Sequence, residues 1–315
     1  MVLESLLPYF PLPKFLHPPH IGISFSDSHV KAVLFKGVEP SSIKSLKLAL
    51  PTGAISSGLI VKKDELVGIL KKVREEFNTP FVSFTLPDDL VYIFNTEVPA
   101  TRGGSITESV AFAIEENVPL SLAETVFDFV PTHVVGSHPE YKAKTVVAAA
   151  AQKEVQKFVD LLYESGFSPL SCIHESQSIA NSIIPTHEIG LVYIIHARRN
   201  KIGIYLVEDG VVRFSTLRTI LESDYKKQVS DEYEKFLEYR SKYDVTSAIV
   251  PKMLVCGEFV YAKEAVEALS QTAGTLKAEL PNVWINVRRR DASVPNMPYE
   301  ESLEFASAVG AALDI

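Results

Sequence analysis

Apolar residues recur with period two in short runs and with period three to four in longer ones, and the two patterns alternate along the chain. "IGISF" and "VKAVLF", parted by a polar turn, predict a β-hairpin starting near His20. In "KKDELVGILKKVREEF", Leu66, Ile69, Leu70, Val73 and Phe77 share one face of a predicted helix, with Asp64 placed to cap it. "TPFVSFTLPDDLVYIFNTEVP" reads as two strands around a Pro87-Asp88-Asp89 turn. "SITESVAFAIEENVP" predicts a helix opened by a Ser105–Glu108 capping box, with Ile106, Val110, Ala113 and Ile114 inward. A strand follows around Val126 to Val130. "KTVVAAAA" is apolar on both faces, which places it at the centre of a sheet. "QKEVQKFVDLLYESGF" predicts a helix with Val155, Phe158, Val159 and Leu162 inward and Gly166 at its end. "SPLSCIHESQSIANSII" supplies a short strand and another helix.

The pattern then restarts. "GLVYIIHARRNKIGIYLVEDGVVRFSTL" reads as three strands, with Asp209-Gly210 as the tight turn of the second hairpin. A polar helix "SDEYEKFLEYRSKY", a strand "PKMLVCGEF", a helix "AKEAVEALSQTAG" and a small-residue helix "ESLEFASAVGAALDI" follow. A hairpin-led α/β unit therefore occurs twice, and two such halves facing each other make a cleft. The expected organisation is an arm over 1–19, a first lobe over 20–187 with a small α+β module inserted at about 81–131, and a second lobe over 188–315. Pro8, Pro11 and Pro13 make the arm an extended segment and break any signal-type helix. It reads as a tail on its own domain, or as a dock for a partner or a membrane surface.

Composition narrows the function classes. A net charge of −8 argues against nucleic-acid binding, which needs a basic footprint. No apolar run is long enough to span a bilayer. Cys172 and Cys256 lack metal spacing and read as buried small hydrophobes in a reducing compartment. No phosphate loop, dinucleotide fingerprint, zinc motif or nucleophile elbow is present, and "HES" at His174 and "HE" at His187 lack a second histidine. The pairs Asp88-Asp89, Glu115-Glu116 and Glu300-Glu301 read as solvated, as does Arg288 to Arg290, whose sharper reading is a patch for an acidic partner or lipid head groups. Neither a catalytic residue nor a metal ligand is expected.

Six stretches in order carry a resemblance. They are "IGISFSDSHVKAVLF", "GLIVKKDELVGILKKV", "VSFTLPDDLVYIFNTEVP", "ESVAFAIEENVPLSLAETVFDF", "VVAAAAQKEVQKFVDLLYESGFSPLSCIHESQSIANSI" and "IYLVEDGVVRFSTLRTI" with the closing helix. Together they resemble the PilM family of type IV pilus assembly. The resemblance implies an actin-like (ribonuclease H-like) two-lobed fold with a nucleotide site between the lobes. The family's acid and glycine of the first hairpin fall on Ser24 and Ser26, and those of the second on His196 and Arg198. A glycine pair becomes Gly257-Glu258. Asp27, Ser28 and Lys31 complete the expected site equivalents. Ser24 and His196 remove charges that would hold magnesium, Ser26 and Arg198 add side chains where backbone should touch phosphate, and Glu258 adds negative charge. The expectation is a pseudo-ATPase without a cofactor. ATP with magnesium stays open if Asp27 or Arg198 compensates. The family's upper subdomain in the second lobe is reduced here to "LESDYKKQVSD" and one helix.

The implied function is a cytoplasmic adaptor of a type IV pilus, or of a related secretion or competence machine, peripheral at the inner face of the cytoplasmic membrane. Its expected partner is the N-terminal cytoplasmic peptide of a PilN-like inner-membrane protein, with pilus platform or motor proteins as further partners and only indirect membrane contact. The resemblance places the peptide groove between the first subdomain and the inserted module, with Phe84, Leu86, Tyr92, Phe94 and Val110 as candidates. One alternative is an active actin-like ATP-binding protein whose nucleotide state switches partner binding. Another is an FtsA-like division adaptor, disfavoured by the end "AVGAALDI", which has no basic face.

Overall fold

The computed structural model describes residues 18–35, 43–99, 106–135, 142–242, 252–272, 277–287 and 297–313. The N-terminal arm up to residue 17, the Ser105 cap and Arg288 to Arg290 lie outside the described residues.

The chain opens with three antiparallel strands, β1 (Ile21–Phe25), β2 (His29–Phe35) and β3 (Ile43–Ala49). A two-residue hairpin follows, β4 (Ile55–Ser56) and β5 (Leu59–Ile60), then α1 (Lys63–Phe77), β6 (Phe81–Leu86) and β7 (Val91–Pro99). Next come α2 (Ile106–Asn117), β8 (Thr125–Val135), β9 (Lys142–Ala151), α3 (Gln152–Glu164), β10 (Ser168–His174) and α4 (Glu175–Ile183). The second half runs β11 (Leu191–Arg198), β12 (Lys201–Glu208), β13 (Val211–Thr219), α5 (Tyr225–Lys242), β14 (Lys252–Gly257), α6 (Phe259–Thr272) and β15 (Ala278–Glu279). Two short helices close it, α7 (Tyr299–Ser302) and α8 (Ala306–Leu313).

The two halves share one topology. The first sheet has the order β10-β6-β1-β2-β3 and the second β13-β12-β11-β14-β15. Each is a three-stranded antiparallel meander whose first strand continues into two parallel strands. Parallel strands with covered faces need side chains that are apolar on both sides. "LVYIIHA" in β11 meets that need, with every residue from Leu191 to Ala197 buried.

Helices α1 and α3 cover the outer face of the first sheet, where Leu66, Leu70, Phe77 and Phe158 pack under Phe25 and Phe84. The outer face of the second sheet packs against Tyr233 and Phe236 of α5 and Ala262 to Leu269 of α6. Between the sheets lie α4 and α8, whose Ile179, Ile183, Ala308 and Val309 join Val33 of one sheet to Ile194 and Leu254 of the other. The small residues of α8 permit this layer to be thin. A Cβ on Gly310 would stand 1.7 Å from the Ser178 carbonyl oxygen of α4.

Several expectations are corrected. Strand β3 was not read from the sequence. Asp64 does not cap α1, because the helix starts at Lys63 and has no side-chain cap; the carboxylate sits inside the first turn, where the helix dipole favours it. Phe81 to Leu86 does not belong to an inserted module: β6 pairs with β1 and β10 inside the first sheet. The separate sheet is instead β7-β9-β8, so β9 ("KTVVAAAA") is its central strand. Helix α2 covers one face of it through Val110 and Ile114. Of the two cysteines, Cys256 is buried, but Cys172 is exposed on the end strand β10. Between β13 and β14 the described residues hold one short 3-10 turn and α5.

Candidate functional site

The hairpin turns of the two halves face each other across the cleft. Ser24, Ser26, Ser28, Lys31, His196, Arg198 and Glu258 line one shared space, together with Glu175 and Glu304. Its volume is about 20 Å³, room for about one water molecule. Asp27 and Gly257 are not part of the lining.

What fills the cleft is the protein's own charge. Glu175 opens α4 and is 3% exposed. Its Oε2 lies 3.6 Å from Arg198 Nη1 and its Oε1 3.8 Å from His196 Nδ1. Burial pushes the Glu175 carboxyl up to about 7; the Arg198 charge pulls it back, while Asp88 and Asp89 push the same way as burial. Burial, then the Arg198 and Lys31 charges, hold His196 well below the usual imidazole range, so it is neutral. Lys31 lies 3.5 Å from Glu304, and Lys47 of β3 pairs with the same carboxylate. Burial lowers the Lys31 ammonium against the pull of Glu304.

A second set of contacts crosses the seam beside it. Lys201 of β12 meets Asp89 Oδ1 at 2.9 Å and Asp27 Oδ2 at 3.3 Å, so one cation of the second half is held by two acids of the first. Asp88, 7% exposed, accepts hydrogen bonds from Ser176 N at 3.1 Å, Ser176 Oγ at 3.0 Å and Ser215 Oγ at 3.3 Å. Burial raises its carboxyl to about 6, against those hydrogen bonds. Gln177 of α4 donates to Gly210 O at 2.7 Å and accepts from Val212 N at 3.0 Å.

Each expected site residue can now be placed. Ser26 Oγ accepts from His29 N at 3.0 Å and closes the first turn on itself. Ser28 Oγ lies 2.8 Å from His29 Nδ1. Asp27 Oδ2 lies 3.3 Å from Lys201 Nζ, outside the lining of the shared space. Gly257 has φ +110°, and a Cβ there would stand 2.1 Å from Ala197 O. It lets the chain turn against β11, where Glu258 N donates to Ala197 O at 2.9 Å. Three carboxylates, Glu175, Glu258 and Glu304, line this space with the Arg198 guanidinium and the Lys31 ammonium. Its volume is far below the several hundred Å³ that small-molecule sites usually span. Sequence reasoning missed Glu175, Asp88 and Glu304. Glu175 is the acid of "HES", a stretch weighed only as a zinc motif, and a Pro-Asp-Asp turn ordinarily reads as solvated.

A larger concavity lies elsewhere. A groove of about 560 Å³ is lined by the β7-β9-β8 sheet, by the segment from β10 into α4 and by Val211 and Val212 of β13. Ile93, Val126, Val130, Val146 and Ala148 make the sheet's contribution, the floor, apolar, and Cys172 and His174 are among the residues that β10 supplies. Val130 is 44% exposed there. Strands β8 and β10 are the end strands of their sheets, and consecutive residues of both, Val126 to Val130 and Cys172 to His174, line the groove.

Of the five expected groove residues, Leu86 alone lines this groove. Phe84 is in the first core, its ring 6.4 Å from that of Phe158. Val110 and Phe94 pack in the α2 cluster with Phe127 and Phe129. Tyr92, 41% exposed, shares the Phe94 face by strand alternation. The period of two divides the strand: α2 covers the even residues of β7, and the odd residues Val91 and Ile93 face the groove. The signal was available in "TVFDFV", where both faces are largely apolar, as in a strand covered twice.

Among the described residues, no cluster of three metal-ligating side chains occurs, and no helix is long and apolar enough to cross a membrane.

No family model matches the chain, and no curated protein matches it. Solved structures do. A chain of the PilM-PilN type IV pilus biogenesis complex superposes with a TM-score of 0.74 at 18% identity, over 94% of this chain and 98% of that one. The ethanolamine utilization protein EutJ from Carboxydothermus hydrogenoformans gives 0.52 at 11% identity, over 96% and 91%. The cytoplasmic domain of EpsL, an inner-membrane component of the type II secretion system of Vibrio cholerae, gives 0.51 at 10% identity, over 95% and 96%. With the duplicated sheet topology, these likenesses show that the fold is actin-like and resembles that of PilM.

Proposed function

We propose that this protein is an adaptor of a type IV pilus machine, or of a related secretion or competence machine, whose binding site is the groove and whose interlobe cleft no longer serves a nucleotide. One contrast carries the reading: the cleft leaves about 20 Å³ among paired charges, whereas the groove offers about 560 Å³ of largely apolar wall between two strand edges. The likeness to a chain of a PilM-PilN complex supports a PilN-like partner. An extended N-terminal cytoplasmic peptide of such an inner-membrane protein would pair its backbone with an edge and set alternate side chains on the Val126–Val130 floor. Asp128, the one carboxylate in the lining among the described residues, favours a basic residue on that peptide. The adaptor then sits peripherally at the inner face of the membrane, reaching it through its partner. Pilus platform or motor proteins are further partners for its other faces.

Titration calorimetry with the N-terminal peptide of the PilN-like protein tests the site. Val130→Asp places a charge on the floor at an exposed position and is expected to weaken binding at least about tenfold, a loss of about 1.4 kcal/mol. Unchanged affinity removes the groove from the function. A thermal melt with millimolar magnesium-ATP tests the cleft. Ligand at about 100 times its dissociation constant adds about 2.7 kcal/mol, so a clear shift would restore the nucleotide reading.

A further inference from the structure

The arm preceding β1 has the composition and the reach to enter the groove. Residues 1–17 are apolar or proline throughout, with Glu4, Ser5, Lys14 and His17 the exceptions. Pro8, Pro11 and Pro13 disfavour a helix and favour an extended path, the form a strand edge accepts. Such a sequence leaves much apolar surface to cover, and the floor of the groove is the complementary surface.

The exit point is fixed. Pro19 O accepts from Thr79 Oγ1 at 3.1 Å, and β1 then pairs Ile21 with Val82 of β6. On the far side of β6, Phe81 pairs with Ser168 of β10. The arm therefore leaves the fold two strand spacings, about 10 Å, from the start of β10. β1, β6 and β10 run parallel, so Cys172 to His174 stand about 13–20 Å further along at about 3.3 Å per residue. A 17-residue extended arm reaches at most about 56–61 Å, about twice the longest such path of about 30 Å. Lys14 is its one lysine, and Asp128 is the one carboxylate in the groove lining among the described residues.

We propose that residues 1–17 dock in the groove between β8 and β10 as a tethered occupant that an incoming partner peptide must displace. The inference rests on reading the groove as a peptide site and adds its regulation. A tether of this kind gives an effective concentration of about 1 mM, so an arm with an intrinsic Kd of about 0.1 mM weakens a competitor about tenfold.

The exposed Cys172 reports directly on occupancy, while Cys256 is buried. In the full chain, Leu3→Cys, Leu7→Cys and Phe10→Cys are made one at a time, with Phe112→Cys on the exposed face of α2 as the control. Disulfides require Cα atoms within about 7 Å, so mild oxidation followed by non-reducing mass spectrometry locates the arm. The expected result is an intrachain bond to Cys172 in at least one arm variant, formed at least about tenfold faster than in the control and abolished by Cys172→Ser. No bond above the control overturns the proposal, and so does a bond formed only between two chains, which would place the arm on a second copy. Excess PilN-like peptide is added in a second arm of the experiment and is expected to suppress the bond. An intrachain bond that the peptide leaves untouched supports the docked arm and sinks the partner reading of the groove. Peptide binding without any arm bond sinks the arm alone.

Discussion

Arg198→Ala isolates what the guanidinium does in the cleft. In the folded chain Glu175 titrates near 7 against an ordinary 4.5, so the native state keeps a proton that the unfolded chain releases above pH 4.5. This group's stabilisation is full below pH 4.5 and falls away as pH rises to about 7, by about 3 kcal/mol at 1.36 kcal/mol per unit. Above pH 7 the wild-type carboxylate is ionised and held by Arg198 Nη1 at 3.6 Å. At an effective dielectric of about 20 that attraction is about 4–5 kcal/mol, in line with the usual cost of about 3–5 kcal/mol for breaking a buried pair. The variant does not lose this at once. Without the cation, Glu175 stays protonated to higher pH, as buried carboxyls do when unpaired. The pair's contribution to the gap between wild type and Arg198→Ala is therefore absent below about pH 7. It grows by about 1.4 kcal/mol per pH unit above that, levelling at the full attraction. Urea unfolding at pH 6, 7, 8 and 9 reads the gap, and Glu175→Gln serves as the background in which it has no slope. A gap independent of pH, or a slope that survives in Glu175→Gln, would refute the assignment of the two side chains as a pair.

Gly257→Ala should cost at least about 2 kcal/mol in the same assay, because its φ of +110° and the Ala197 carbonyl 2.1 Å from the new Cβ leave it no place; wild-type stability would show that the turn adjusts freely. Asp88 is raised to about 6 from 3.8, so its stabilisation is full below pH 3.8 and is lost as pH rises to about 6. Asp88→Asn keeps an acceptor for Ser176 N and should flatten stability across that window, and an unchanged pH profile would exclude Asp88 as its source. Phe94→Asp should destabilise the α2 cluster by about 3 kcal/mol while leaving peptide affinity unchanged where the fold persists. Selective loss of binding at full stability would return the site to the α2 face.

What the sequence disclosed was the local part of the structure. Alternation over "IGISF" and "LVYIIHA" and the three-to-four spacing of Leu66, Leu70, Val73 and Phe77 need only neighbours to be read, and the duplicated hairpin-led plan followed from them. Strand β3, "IKSLKLA", escaped because it is an end strand whose residues are mostly half-buried, and its pairing with β2 supplies the order that its pattern lacks. Asp88 escaped for a non-local reason. A Pro-Asp-Asp turn is ordinarily solvated, and only the arrival of Ser176 and Ser215 from distant segments buries it. Ser24, Ser26, His196 and Arg198 were placed through resemblance, and the structure gathers them in one space. Glu175, which faces Arg198 there, comes from α4, and its place in "HES" says nothing of a partner 23 residues further on. Phe94 and Val110 pack on the α2 side of the β7-β9-β8 sheet and the proposed groove lies on its other side, since one residue of strand register exchanges every side chain between faces.

Lys201, clasped by Asp27 and Asp89, bears on how the two halves can part. One ammonium answers two carboxylates on separate turns, so a hinge motion that opens the seam strands both acids together rather than one after the other. Opening of that kind is abrupt rather than gradual, and added salt, which screens the charges it exposes, eases it.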